Sequence, residues 1–178
     1  MLLTLRRGAG VVAEPDAVDL LLACHQRIRH FTQVAAALAD APDAPPAEVA
    51  AAAVGVLRYF TEALPLHAED EDASVAPRLL AAEPPAQVRV ALESMTREHG
   101  ALDEALAALA PRWRAVAFEP GRIEDEAPEL RVLTARLADR WAAHLAPEEA
   151  IVFPAMRSTL SPGSLHDIVR EMRARRGA

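Results

Sequence analysis

Two segments of the sequence set the same residue types at the same offsets. HAEDEDASVAP, from His67 to Pro77, and HLAPEEAIVFP, from His144 to Pro154, each place a glutamate four residues after a histidine, a second acid next to it and a proline at the tenth. Residues four apart on an α-helix lie about 40° apart around the axis and one turn along it, so His67 with Glu71, and His144 with Glu148, can each address a single point. Both pairs interrupt an apolar helical seam. Two more histidines do the same: His25 sits among Leu21, Leu22, Ile28, Thr32 and Ala35, and His99 among Val88, Leu92, Met95, Leu102, Leu106 and Leu109.

One imidazole in an apolar seam is tolerable if it finds a hydrogen bond, and a lone seam histidine is more often a packed core residue than a ligand. Four of them with two carboxylates would cost several kcal/mol of desolvation unless a cation sits among them. One or two metal ions are the simplest solution. Three residues are candidates to stand behind the ligands. Asp103, one turn after His99, can orient an imidazole or ligate; Glu149 follows Glu148; Tyr59 lies about two turns before His67 but about 80° off its face, which suits helix packing better. His30 and His166 fall outside the repeat and are expected at the surface, as are Glu62, Glu69 and Glu98.

The elements that must position these residues are helices. Of the 178 residues 52% are apolar, much of that alanine, only 4% are aromatic and 7 are glycine, which favours close-packed helices over strands. Periodicity predicts a first helix from about Asp16 to Asp40 and a second from after Pro46 to about Ala82, kinked at Pro65. A third carries Val88 to Leu109. After a looser stretch from Ala117 to Pro128, a fourth carries Leu130, Leu133, Leu137, Trp141, His144, Glu148 and Ile151. A short fifth helix follows SPGS, with Ser164 and Asp167 suited to cap it. The expected fold is all-α: an up-down-up-down four-helix bundle with a short C-terminal fifth helix, which would bring the four histidines to one level of the core. Residues 1–15 form an N-terminal extension, 16–157 the bundle and 158–178 the C-terminal helix and tail.

The formal charge of −7 argues against a nucleic-acid partner. Arg170, Arg173, Arg175 and Arg176 read as a solvated helix end. Cys24 is the only cysteine, so no intrachain disulfide or cysteine metal cluster is available, and it reads as a small buried hydrophobe. The opening MLLTLRRGAGVVAEPD lacks a signal-peptide core, and no unbroken apolar run long enough to span a bilayer is evident. A cytoplasmic protein without a membrane partner is expected.

With these residues in place, the sequence resembles the hemerythrin-like proteins, the HHE cation-binding domains. The resemblance covers about residues 16–157, and the family's order of H, HxxxE, H, HxxxE is met by His25, His67 with Glu71, His99, and His144 with Glu148. EEAIVFP looks like the family's usual ending to a ligand helix; EDASVAP in the first half is less typical. The resemblance implies two iron ions in a non-haem, oxo- or hydroxo-bridged di-iron centre, with two histidines per iron, both glutamates bridging and an open position on each ion. Zinc and manganese are the rival metals. A ferritin-like site fits less well, because it needs a Glu on each of two helices and ExxH on the other two.

The oxygen-carrying hemerythrins resemble HxxxH on the third helix and HxxxxD on the fourth. Here those positions hold Asp103 and Glu149, so reversible oxygen storage is not expected. The pattern is closer to relatives associated with nitric oxide, peroxide and iron-centre repair, though without the cysteine-bearing N-terminal segment of some of them. The expected function is reaction with nitric oxide, hydrogen peroxide or oxygen in oxidative or nitrosative stress handling, with a possible oxidoreductase activity. The alternative is an oxygen- or iron-binding sensor or storage protein without turnover.

Overall fold

The computed structural model describes residues 14–177, so the N-terminal extension expected over 1–15 lies, but for its last two residues, outside the described residues. The described chain is all-helical. Helix α1 spans Ala17–Asp40 and opens with a capping box in which Asp16 and Asp19 satisfy each other's backbone N–H. Helix α2 is one continuous run, Pro46–Ala81. It ends where Glu83 takes a left-handed φ of 51°, ahead of Pro84 and Pro85. Helix α3 is Ala86–Phe118. A single 3-10 turn, Pro120–Arg122, leads into α4 over 123–159, so the looser stretch expected from Ala117 to Pro128 is much shorter and Pro128 lies within the helix. Helix α5 is Pro162–Arg175. Its cap is Ser161, which accepts from the Ser164 backbone, rather than Ser164 or Asp167, because Pro162 suits the first helical position.

Helix α1 packs against α2 and α4, and α3 against α2 and α4, closing a ring around the core. Two apolar clusters fill it. Ile28, Leu64, Leu102, Trp113, Trp141 and Leu145 belong to one, and Leu21, Val75, Met95, Val152 and Met156 to the other. Between them every long helix contributes polar groups: His25 on α1, His67 and Glu71 on α2, His99 on α3, His144 and Glu148 on α4. All six are buried, His99 being the most exposed at 8%.

Three π-helical turns interrupt these helices, at Tyr59–Ala63, Asp70–Val75 and Glu148–Val152. Each is followed within two residues by a proline: Pro65, Pro77 and Pro154. A mid-helix proline lacks an N–H and crowds the carbonyl one turn back, and a widened turn relieves both. What sequence suggests as a kink at Pro65 is thus a π turn. The repeated proline of the two motifs marks a second and a third, each opening at or beside the motif's glutamate.

Helix α5 packs on the Asp70–Val75 turn. Asp70 is wholly buried and accepts from Arg175 Nη1 at 2.9 Å and Arg176 Nη2 at 2.7 Å. Glu171 pairs with Arg78 at 2.6 Å and accepts from the Ser74 hydroxyl at 2.6 Å. Arg175 and Arg176 therefore do not form the solvated helix end that their sequence suggests; they balance a carboxylate enclosed by the fold. Helix α2, by contrast, passes for a membrane span by length and composition, although Arg58, Glu62 and the acids from Glu69 to Asp72 interrupt its apolar run. Its alanines supply much of that character, and its inward face carries His67 and Glu71.

Replacing Arg175 and Arg176 together by alanine strands the Asp70 charge. The expected loss is about 2 kcal/mol, less than for a wholly enclosed pair because both guanidiniums keep contact with water. Urea denaturation read by circular dichroism checks it, with His166→Ala, on the exposed side of the same helix, leaving the midpoint unchanged.

Candidate metal centre

The polar layer is held together by its two glutamates. Glu71 Oε1 lies 3.7 Å from His25 Nε2 and 3.5 Å from His67 Nε2, while its Oε2 lies 3.2 Å from His99 Nε2. Glu148 Oε2 lies 3.2 Å from His25 Nε2 and its Oε1 3.0 Å from His144 Nε2. Each carboxylate thus offers one oxygen to the His25 side and the other to the His99 and His144 side. Donors about 2.1 Å from a common cation sit about 3.0 Å apart at right angles and about 3.4 Å apart in a tetrahedron, so these separations fit shared coordination.

Most of the contacts are close without being hydrogen bonds. Among the described residues, ten buried side-chain atoms lack a hydrogen-bond partner, and seven belong to this layer: His25 Nε2, both His67 nitrogens, His144 Nε2, Glu71 Oε1 and both Glu148 oxygens. Orphaned donors and acceptors that converge on one place are what a cation would satisfy. Two overlapping groups could each hold a metal ion: Glu71, His99, His144 and Glu148, and His25, His67 and Glu71.

Behind the imidazoles stands a second ring of carboxylates. His25 Nδ1 lies 2.8 Å from Glu149, His99 Nδ1 2.8 Å from Asp72, and His144 Nδ1 3.0 Å from Glu98. An ionised carboxylate only accepts, so each ring must donate from Nδ1 and present Nε2 inward. Among the described residues His67 Nδ1 has no such partner.

The protons follow the same geometry. Burial works against charge on His25, but Glu148 and Glu71 outweigh it and raise its pKa to about 9. Burial likewise opposes charge on His99, which Glu71 and Asp72 raise to about 9. His67 is pushed down to about 4, chiefly by burial. Glu148 is raised to about 8 by burial and the neighbouring Glu71 charge, whereas Glu71, against its own burial, is lowered by His67, His25 and His99.

The six residues singled out from sequence are therefore brought together, and Glu149 lies against one of them. Asp103 is not: it is exposed on α3, and Asp72 of the neighbouring helix occupies the place behind His99. Tyr59 is buried, stacks on Phe31 with centroids 4.3 Å apart and aims its hydroxyl at the Cys24 carbonyl 3.5 Å away, a packing role. Cys24 is buried as expected and accepts from Arg27 at 2.9 Å. Glu98, expected in solvent, is half-buried against His144. Asp72 carried a signal all along, since it stands five residues after His67 as Glu149 stands five after His144. His30 and His166 are exposed.

The family model for the hemerythrin HHE cation binding domain matches residues 16–156. The chain is also similar to an uncharacterized protein of Haemophilus influenzae, 26% identical over 168 residues that make up 90% of each chain.

Two outcomes are expected from this geometry. His67→Ala and His144→Ala lose most bound metal by elemental analysis, while His166→Ala and Asp103→Ala retain it. Protons on His25 and His99, both near pKa 9, compete with a cation, so metal affinity rises with pH until about 9 and levels beyond. Calorimetric titration in buffers of differing ionisation enthalpy measures the protons released at pH 7.

Proposed function

The chain belongs to the hemerythrin HHE cation-binding family, and from that premise we propose that it is a non-haem di-iron protein reacting with nitric oxide, hydrogen peroxide or oxygen. In this reading His25, His67, Glu71, His99, His144 and Glu148 hold the two ions at one level of an up-down-up-down bundle closed by α5. The observation that carries it is the carboxylate geometry. Glu71 directs one oxygen at His25 and His67 and the other at His99, as a ligand shared between two cations would.

The ions would supply one-electron chemistry and positions for small ligands. The protein's part follows from its own residues. Asp72, Glu98 and Glu149 fix three imidazoles with Nε2 inward, so donors are in place before a cation arrives. The apolar clusters above and below keep water from the layer and strengthen every charge interaction within it. Because no member of the layer is more than 8% exposed, the reading favours diatomics and peroxide over bulky substrates. Asp103 faces solvent, so it offers no extra donor in place of the oxygen carriers' additional histidine.

The same burial suits a sensor or store for oxygen or iron that binds without turnover. Stopped-flow absorption separates the two. Protein purified from iron-replete cells is expected to carry close to two irons per chain, with little zinc or manganese. Once reduced, it should react rapidly with nitric oxide or peroxide and give no long-lived adduct in air. A stable, reversible oxygen adduct would return the protein to oxygen storage; inertness to all three reagents would favour iron sensing.

A further inference from the structure

We propose that the two cation positions are unequal by construction: the one bordered by His99 and His144 fills first and holds metal more tightly, and the one bordered by His25 and His67 is the labile position. This rests on the two-metal reading above, but its warrant is the surroundings of the imidazoles. His99 is backed by Asp72 and His144 by Glu98. Both acids are braced by neutral hydroxyls, Thr96 donating to Asp72 at 2.7 Å and Ser94 to Glu98 at 2.7 Å. Arg97 reaches Glu98 only through Ser94, to whose hydroxyl it donates at 3.1 Å, so among the described residues neither acid is in a direct ion pair with an arginine. On the other side Glu149 backs His25 but is paired with Arg29 at 2.9 Å, which cancels its charge. His67 Nδ1 is buried, and among the described residues no side chain backs it.

The sequence repeat locates the break. The acid five residues after each HxxxE histidine braces the single histidine of the other half, Asp72 for His99 and Glu149 for His25. The residue just before each single histidine should brace the HxxxE histidine of its own half in the same way. Glu98 does so for His144, but its counterpart before His25 is Cys24, which is engaged with Arg27. The donor groups agree: four residues, Glu71, His99, His144 and Glu148, lie within 4.8 Å of one another on one side, whereas on the other only His25, His67 and Glu71 do, Glu148 reaching His25 at 3.2 Å without closing a four-residue group.

Backing carboxylates also attract protons, which compete with metal. A divalent cation, however, feels the same field with twice the charge, so the net effect favours the metal. Outer carboxylates of this kind alter metal affinity by about 10- to 100-fold.

The test is an anaerobic titration of metal-free, full-length protein with cobalt(II). It is followed by visible absorption and by the hyperfine-shifted imidazole N–H proton resonances. Two steps are expected, the first adding the resonances that Asp72→Asn and Glu98→Gln displace, the second the one that Glu149→Gln displaces. Asp72→Asn and Glu98→Gln should each weaken the first step by about 10- to 100-fold and spare the second. Arg29→Gln, which frees the Glu149 charge, should tighten the second step, an improvement that lost structural support would not produce. Two indistinguishable steps, or a first step carrying the Glu149-sensitive resonance, would overturn the inequality and leave the two-metal reading intact. Uptake of one equivalent or none would overturn that reading, and the inequality with it.

Discussion

Everything in this fold answers to the cost of enclosing two carboxylates and four imidazoles inside a helical bundle. Glu71 and Glu148 are at most 1% exposed, and among the described residues neither has an arginine within ion-pairing distance. Their charge must be met by protons, on the histidines or on Glu148 itself, whose pKa is raised to about 8, or by cations between them. In the protein as it stands, protons on His25 and His99 take that part. A divalent ion does so with more charge and without using up donor atoms. The split of the apolar core into two clusters follows directly, since no helix can pass through the polar layer without giving up core positions to it.

That layer has to be aimed as well as assembled, and the backbone does part of the aiming. An α-helix with a proline in mid-run loses a hydrogen bond, and here the loss is taken up by a π turn that opens at or beside each ligand glutamate. Helix α5 then fixes the Asp70–Val75 turn from outside through Asp70, Ser74 and Arg78. The Glu148–Val152 turn is held differently, by packing against α3. One half of the repeat is thus clamped by the ion pairs of α5, the other by packing against α3 together with the Arg29–Glu149 pair from α1.

The sequence made the helices and the inner donors legible because both rest on periodicity. His25, His67, Glu71, His99, His144 and Glu148 each violate an apolar seam, and a violation repeated at constant spacing is visible without coordinates. What surrounds them was harder to read. Asp103 is as close in sequence to His99 as a helix allows, yet it points to solvent, while Asp72 reaches His99 across the helix interface. Contacts between helices depend on rotation and offset, which one helix's periodicity does not encode. Arg175 and Arg176 were misread for the same reason: their partner, Asp70, lies more than a hundred residues away. The π turns were hidden because a proline announces a disturbed helix without saying how the backbone recovers.

The outer carboxylates connect the sealed interior to the surface. Asp72, Glu98 and Glu149 keep 31–37% of their side chains exposed while gripping imidazoles that are nearly closed off. Their other partners, Thr96, Ser94 and Arg29, lie on the outer faces of α3 and α1. A change at one of those residues alters the charge felt by an imidazole without touching the core packing. Inner donors are constrained by the need to converge, but this outer ring can vary residue by residue, as the contrast between Glu98 and Cys24 already shows within one chain. The same inner set can therefore be tuned for different metal affinities, and for different small ligands, by surface substitutions that leave the bundle unchanged.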